Sequence, residues 1–456
     1  MKRTIDMSVG NPVQNILRFS VPVLLGTLFQ QLYNMADTIV VGRFLGADAL
    51  AAVGSTGSTV YLVIGFTSGL TQGFTILIAQ AFGAHRLGEL KKLVAHALTL
   101  TLLISVIFTV PTVIFCKLIL QSLQTPEDIF SLAQSYLQTI FCGIICTMAY
   151  NVAAGILRAM GDSRTPLYFL IFSSFLNIGL DIFLIVQCSL GTAGAALATV
   201  ISQGISALLS FGYMLRNYTH LRLARKDFRL QGNELWRMLR TGLPMALNQS
   251  ITALGIMVLQ GAVNTFGPTV IASFAAASKV ENLVSQPMIA LGSGISTYCA
   301  QNLGAGRIDR IRTGVRCTMA MSACVGGIGM VFYVLCARLM VQGFVADPSP
   351  ELMAYADQYL FTSIWFLPAL AWIFLFRNAL VGLGNGAVSM LGGVLELCSR
   401  WMCIQILLPA FGFWCVRLTN PITWLAACGM FGFLYFRWER RQVFPEKCCP
   451  TQERSL

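Results

Sequence analysis

Apolar residues in this chain come in blocks of about 20, long enough for a helix to cross a bilayer core, and the blocks are punctuated by Gly, Pro and clustered charge. Blocks near residues 15–42, 48–77, 93–116, 130–156, 166–187 and 192–215 predict six helical spans. Six more are predicted near 236–264, 269–300, 313–340, 354–380, 388–409 and 418–437, where Pro409, Arg417 and Pro421 blur the border of the last two. Between the two sets runs RNYTHLRLARKDFRLQGNELWRMLR (216–240), the longest polar stretch of the chain. The expected fold is an all-α polytopic membrane protein of 12 transmembrane helices in two six-helix bundles. The expected division is a first bundle over 1–215, a cytoplasmic connector over 216–235, a second bundle over 236–437 and a cytoplasmic tail over 438–456.

The two sets are related to each other. GFTILIAQAFGAHR (73–86) reads against GISTYCAQNLGAGR (294–307), matching Gly73/Gly294, Gln80/Gln301, Gly83/Gly304 and Arg86/Arg307. Pro22 in LRFSVP faces Pro244 in LRTGLP, and LRAMGD (157–162) faces LVGLGN (380–385), so the offset stays between 221 and 223 residues. A fixed period of this kind marks a duplicated unit. Because each unit has an even number of spans, both enter the membrane from the same face, which predicts pseudo-symmetry about the membrane normal and a central cavity between the halves. Transporters use that geometry, although span count alone also fits receptors, channels and intramembrane enzymes.

Composition narrows the class. The 456 residues are 56% hydrophobic and 11% charged, with a mean hydropathy of +0.70, too little polar surface for soluble domains of this length. A net charge of +12 would suggest nucleic acid in a soluble protein, but the basic residues stand in short segments between apolar blocks and form no aromatic-interleaved patch. No nucleic-acid partner is expected. On the expected topology all but six of the 31 Lys and Arg fall on the side of both termini; Arg43, Lys117, Arg338 and Arg417 lie opposite, and Lys279 and Arg400 lie within spans. That asymmetry places both termini in the cytoplasm. The opening MKRTIDMSVGNP is too polar for a signal peptide, so the first apolar block is expected to stay. Most of the 14 cysteines sit in apolar blocks without metal-ligand spacing, whereas Cys448–Cys449 on the tail is either a reduced pair or a lipidation site.

Four segments, taken together and in order, resemble the multidrug and toxic compound extrusion (MATE) transporters of the bacterial, DinF-like branch. They are PVLLGTLFQQLYNMADTIVVGRFLGADALAAVG (22–54), the AQAFGAHR and AQNLGAGR loops, GILRAMGDSRTP (155–166) and NIGLD (177–181). The likeness runs from Asn15 to about Arg437. It implies two six-helix bundles around a V-shaped cavity and export of drugs in exchange for sodium ions or protons.

The chemistry should lie with the few acids inside spans, because an Asp at a span centre costs ~2.5–3.5 kcal/mol and needs a partner or a task. Asp37, Asp181, Glu281 and Glu396 lie within apolar blocks, and Asp357 near the start of one. Asp37 follows Tyr33 by four residues, with Asn34 nearby, and Asp181 follows Asn177 at the same spacing, so each carboxylate has a donor on its own helical face. If the two carboxylates converge, the pair can hold a proton, or Asn and Thr oxygens can complete a cage for a hard cation. The resemblance implies a cation site, for H+ or Na+, at Asp37, Asn177, Asp181 and Thr199, with Asn151 on span 4 as a further polar residue of that pocket. A buried polar network that only fixes helix packing is the other reading.

Span 7 carries Asn248, Gln249, Thr252, Gln260 and Asn264 but no acid, unlike one branch of the family, so coupling is expected in the first half. In the second half Glu281 is the acidic candidate, facing a substrate cavity, paired with Lys279 or held in a polar helix contact. Glu396 and Arg400, four apart, read as a neutralised structural pair. Gln249, Met257, Glu281 and Met288 are expected on the substrate cavity, together with Phe274 and Tyr298, as a surface for amphipathic cations. Pro22 and Pro244 lie inside spans and should kink them; the resemblance implies that the span-1 proline bends when the Asp is protonated, a static kink being the alternative.

The function expected is a secondary active multidrug antiporter of the bacterial cytoplasmic (inner) membrane, monomeric, whose partners are small organic cations, drugs and membrane lipids. No cofactor beyond the coupling ion is expected, and neither an ATP-binding motif nor a catalytic constellation is present in the sequence. The alternative is a lipid-linked precursor flippase of related two-bundle fold, whose cavity should be rich in Arg and Lys for phosphate.

Overall fold

The computed structural model describes residues 4–218, 221–229, 231–344 and 349–443, and among these it is helical with no strand. The expected spans all appear as helical rods. In the first half they are α1 (Pro12–Leu45), α2 (Ala47–Gly83), α3 (Leu87–Ile114) with the short α4 (Cys116–Ser122), the bent pair α5 (Glu127–Cys142) and α6 (Ile144–Ala159), α7 (Arg164–Ile182) with a π-helical end to Gln187, and α8 (Gly191–Asn217). The second half repeats them as α9 (Gly232–Asn264), α10 (Pro268–Gly304), α11 (Ile308–Phe344), the bent pair α12 (Pro350–Ile364) and α13 (Leu367–Gly382), α14 (Gly386–Phe411) and α15 (Phe413–Val443).

Seven single helices and both bent pairs are long and apolar enough to cross a bilayer. The other three rods, α1, α10 and α15, are as long but carry polar residues mid-helix, Asp37, Glu281 and Asn420 among them. Large apolar side chains such as Ile107, Leu335 and Ile406 point outward, as a lipid-facing surface requires. Several helices outrun the apolar blocks. Arg158, just past the block that ends at residue 156, is therefore inside α6. The paired cysteines at 448 and 449 lie outside the described residues.

The duplication is written into the backbone. Positive φ angles recur at Gly46 and Gly267 (87° and 90°), His85 and Gly306 (54° and 70°), Gly161 and Gly384 (82° and 86°), and Gly191 and Gly412 (58° and 52°). Each pair falls at the repeat offset, and each glycine sits where a left-handed turn reverses the chain between rods. The bends match as well: α5–α6 breaks by 45° at Gly143, and α12–α13 by 55° at Trp365–Phe366.

The halves meet along α2 and α9 and along α1 and α10, and their contacts are densest at the end of the bundle that carries the N-terminus. There Gly73 abuts the backbone of Gly242, while Gly83 and Gly304 each lie against the main chain around the opposite half's Gln301 and Gln80. A side chain at any of these positions would collide with backbone, so close approach, more than turn geometry, explains the 83/304 pair. Gln301 Nε2 donates across the seam to the Ala159 carbonyl (2.8 Å), and its repeat mate Gln80 donates across to the Gly382 carbonyl (3.1 Å). The N-terminal segment closes the same end: Met7 N–H donates to Gln301 Oε1, Asn302 and Arg310 donate to the Met7 carbonyl, and Ile5 N–H donates to the Gly161 carbonyl.

Away from that end the seam opens. Gly65 still packs near Gln249 of α9, whereas Gly54 and Gly57 of α2 and Gly261 of α9 face no atom that a methyl would touch. The two halves thus form a V, closed at the N-terminal end.

Replacing Gly304 with Leu should wedge α10 off α2. Overpacking of this kind costs about 1–3 kcal/mol, so thermal unfolding in detergent should occur several degrees lower. Unchanged melting would mean that the seam is not close-packed there.

Candidate functional site

Residues from three rods of the first half converge on one polar cluster. Asp37 comes from α1, Asn177 and Asp181 from α7, and Thr199 from α8, in a bundle whose remaining faces are packed by Val40, Val41, Ile185 and Ala195. The Asp37 and Asp181 carboxyl groups are within hydrogen-bonding reach of each other. Asn177 and Asp181 are fully buried. With its amide oriented to suit its neighbours, Asn177 donates to Asp181 Oδ2 (3.0 Å) and accepts from the Thr199 backbone N–H (3.2 Å). The Tyr33 hydroxyl, one turn from Asp37, meets Thr199 Oγ1 at 3.1 Å. Tyr136 of α5 stands within electrostatic range of both carboxylates.

This cluster is unfinished. Oδ1 of Asp37 and Oδ1 of Asp181 are both buried without a hydrogen-bond partner. Two like charges in contact, each with an orphaned oxygen and, among the described residues, no Lys or Arg beside them, repel each other, and a positive charge between them would relieve that repulsion. The atoms on offer are carboxylate, hydroxyl and amide oxygens, a donor set that suits a proton or a hard cation such as Na+ and offers no soft ligand.

A chain of polar space leads away from the cluster. Tyr33 forms part of the wall of a cavity of about 100 Å³ together with Gln30, Ser174 and Gln203. Ser68 and Asn151, joined by a 3.1 Å hydrogen bond, belong to that wall and also to the wall of a second cavity of about 240 Å³ at the seam between the halves. Asn151 is thus set between the two cavities and makes no direct bond to the carboxylates.

The residues expected on a second-half substrate surface lie elsewhere. Met288 is packed in the core of the second bundle and is 1% exposed, because the period of α10 turns it inward. Met257 is exposed on α9, and Gln249 sits against Gly65 at the α2–α9 seam. Glu281 is committed to its own network: Tyr359 donates to Oε2 (2.8 Å), and Asn420 reaches Oε1 (3.5 Å) and the Tyr359 hydroxyl (2.9 Å). Lys279 makes no pair with Glu281; its ammonium lies over the Phe344 ring. Glu396 and Arg400 do pair, at 3.9 Å and nearly buried. Pro22 and Pro244 are each inside a helix that continues through them.

Sequence reasoning missed Arg158, which lines the seam cavity, and Gln80 and Gln301 as cross-seam donors. The glutamines were visible as repeat mates in AQAFGAHR and AQNLGAGR. Arg158 was hidden because LRAMGD reads as a turn.

The chain is similar to known proteins over nearly all its length. The sequence model of the MatE family matches residues 22–183 and 244–397. The chain is 28% identical to the probable multidrug resistance protein YpnP of Bacillus subtilis (strain 168), over 97% of this chain and 99% of that one. It is 31% identical to the probable multidrug resistance protein YoeA of the same organism, over 76% of each. Its fold matches a solved outward-facing structure of a multidrug resistance MATE family transporter of the MOP superfamily, with a TM-score of 0.89 at 24% identity, covering 98% of this chain and 100% of that one.

Asp37→Asn or Asp181→Asn removes one of two touching charges. Wild-type protein in detergent should gain about 1–3 kcal/mol of unfolding free energy when Na+ is added to, or pH lowered in, a cation-poor alkaline buffer. Either variant should start more stable and respond less. Equal responses in wild type and variants would show that the pair binds no cation.

Proposed function

The chain belongs to the MATE family of membrane transporters, and from that premise we propose that it is a secondary active multidrug efflux antiporter, exporting amphipathic, cationic organic compounds in exchange for H+ or Na+. The observation that carries this reading is the contact between Asp37 and Asp181, each with an orphaned buried oxygen, in the half that also borders the seam cavity. The names of YpnP and YoeA support drug export, and the single charged side chain on the seam cavity, Arg158, argues against the Arg- and Lys-rich lining that a lipid-phosphate flippase calls for.

In this reading the protein sits in the bacterial cytoplasmic membrane as a monomer, with both termini and the closed end of the V in the cytoplasm. The open end then faces outside, where a cation can reach Asp37 and Asp181. Tyr33, Asn177 and Thr199 fix the carboxylates and supply neutral oxygens. Cation binding removes the repulsion between Asp37 and Asp181 and lets α1 and α7 pack closer; cargo that favours the cation-free arrangement is expelled as the ion binds. An ion with equal affinity for both states would drive nothing, so the coupling free energy is the difference between them. Pro22, which leaves one α1 carbonyl without its N–H, is the position where α1 can bend with least loss of hydrogen bonds.

Reconstituted proteoliposomes test the proposal. Outward movement of a lipophilic cationic dye against its gradient should require an inward gradient of protons or of sodium, and Asp37→Asn and Asp181→Asn should each lower the gradient-driven rate by about 100-fold or more while leaving folded protein in the membrane. Full-rate efflux in both variants would refute the role of the pair.

A further inference from the structure

The seam cavity of about 240 Å³ holds a charge with no counter-charge. Its walls come from both halves, from α1, α2 and α6 on one side and α10 and α13 on the other, and Arg158 is the one charged side chain among them. Among the described residues Arg158 has no hydrogen-bond, ion-pair or ring partner. The acid nearest in sequence, Asp162, is fully engaged: it accepts from the backbone N–H groups of Arg164 (3.2 Å) and Thr165 (3.0 Å), the Thr165 hydroxyl (2.6 Å) and the Tyr218 hydroxyl (3.0 Å). The cavity's own hydroxyls do not compensate: Thr27, Thr71, Thr75 and Thr297 donate to carbonyls of their own helices, and none of their oxygens accepts a hydrogen bond from the guanidinium. The C-terminal carbonyls of α6, whose last turn contains Arg158, supply roughly half a negative charge and leave the guanidinium fork unfilled. A basic side chain that lines an internal cavity of a membrane protein without a partner calls for a ligand, and guanidinium matches carboxylate and phosphate in bidentate geometry.

We infer that Arg158 is the anchor of an anion subsite, and that it receives the carboxylate or phosphate of an amphiphile whose cationic or apolar body lies along the seam. This rests on the export reading and refines its cargo: compounds carrying an acidic group, zwitterions included, are transported along with simple cations. The position of the subsite is also informative. It lies at the closed end of the V, beside Ala159, whose carbonyl accepts from Gln301, so the cavity can open to that side only when the cross-seam bonds part. The carboxylate pair and the guanidinium stand at opposite ends of a polar path through Ser68 and Asn151, and the cation and the anionic group of the cargo therefore occupy separate places.

The test uses two dyes that differ in one group: rhodamine 19, with a free carboxylate, and rhodamine 6G, its ethyl ester. Equilibrium binding is read by fluorescence anisotropy with the full chain in nanodiscs, and translocation of a fluorescent phosphatidylglycerol is measured in proteoliposomes. Arg158→Gln should weaken the carboxylate dye by about tenfold or more and the ester by less than about threefold, the difference expected for a lost charge-assisted hydrogen bond, and Arg158→Lys should recover part of it. Selective loss in the dye arm identifies the anion as that of a soluble cargo; selective loss of lipid translocation identifies it as a lipid phosphate. Equal weakening of both dyes, or no effect in either arm, overturns the assignment. Because binding is measured at equilibrium, absence of gradient-driven efflux would remove the antiport reading without deciding the anion subsite.

Discussion

Two carboxyl groups pressed together inside an apolar bundle are the constraint on which the rest of the molecule depends. Among the described residues neither Asp37 nor Asp181 has a basic neighbour, and each keeps one buried oxygen without a partner. Burial makes their repulsion strong and makes a cation between them correspondingly valuable. The surrounding residues read as supports for that arrangement: Asn177 bridges Asp181 to the α8 backbone, and Tyr33 ties α1 to Thr199. Their bonds bring α1, α7 and α8 together at one depth, so a change in charge at the pair is felt as a change in how three helices pack.

On the proposed reading, the seam is where the second state would arise. At the closed end glycines let backbones touch, and Gln80 and Gln301, related by the duplication, each reach the carbonyl at the end of an opposing helix. These contacts are two copies of one small motif, which allows them to part together. The cavity beside them is polar and carries a single unsatisfied guanidinium, while the carboxylate pair lies in the bundle behind it. On the proposed reading, opposite charges held apart on one path give the ion and the cargo different places to act and a shared set of helices through which to compete.

Much of the fold was legible in the sequence because the bilayer imposes a length on apolar runs, and because the duplication repeats Gln80 at Gln301 and Gly161 at Gly384. The carboxylate pair was legible for a similar reason: an acid inside an apolar block is costly enough to announce itself. What escaped was whatever depends on where a helix ends or which way it faces. Arg158 lies in a helical turn beyond the apolar block that ends at residue 156, where composition resembles a loop. Met288 and Met257 look alike in sequence, yet one turns into the core of the second bundle and the other faces outward, a difference set by the rotation of α10 and α9. Glu281 was recognisable as costly, but its partners Tyr359 and Asn420 come from 78 and 139 residues away, and nothing in local spacing reveals them.

The most direct test is to count the ions displaced when cargo binds. Protein loaded with radioactive sodium, or held in weak buffer with a pH indicator, should release cations as a lipophilic dye is added, in proportion to the dye bound, and the Asp37→Asn/Asp181→Asn double variant should bind dye and release none. Undiminished release from the double variant, or dye binding that leaves the wild-type ion content unchanged, would contradict the account.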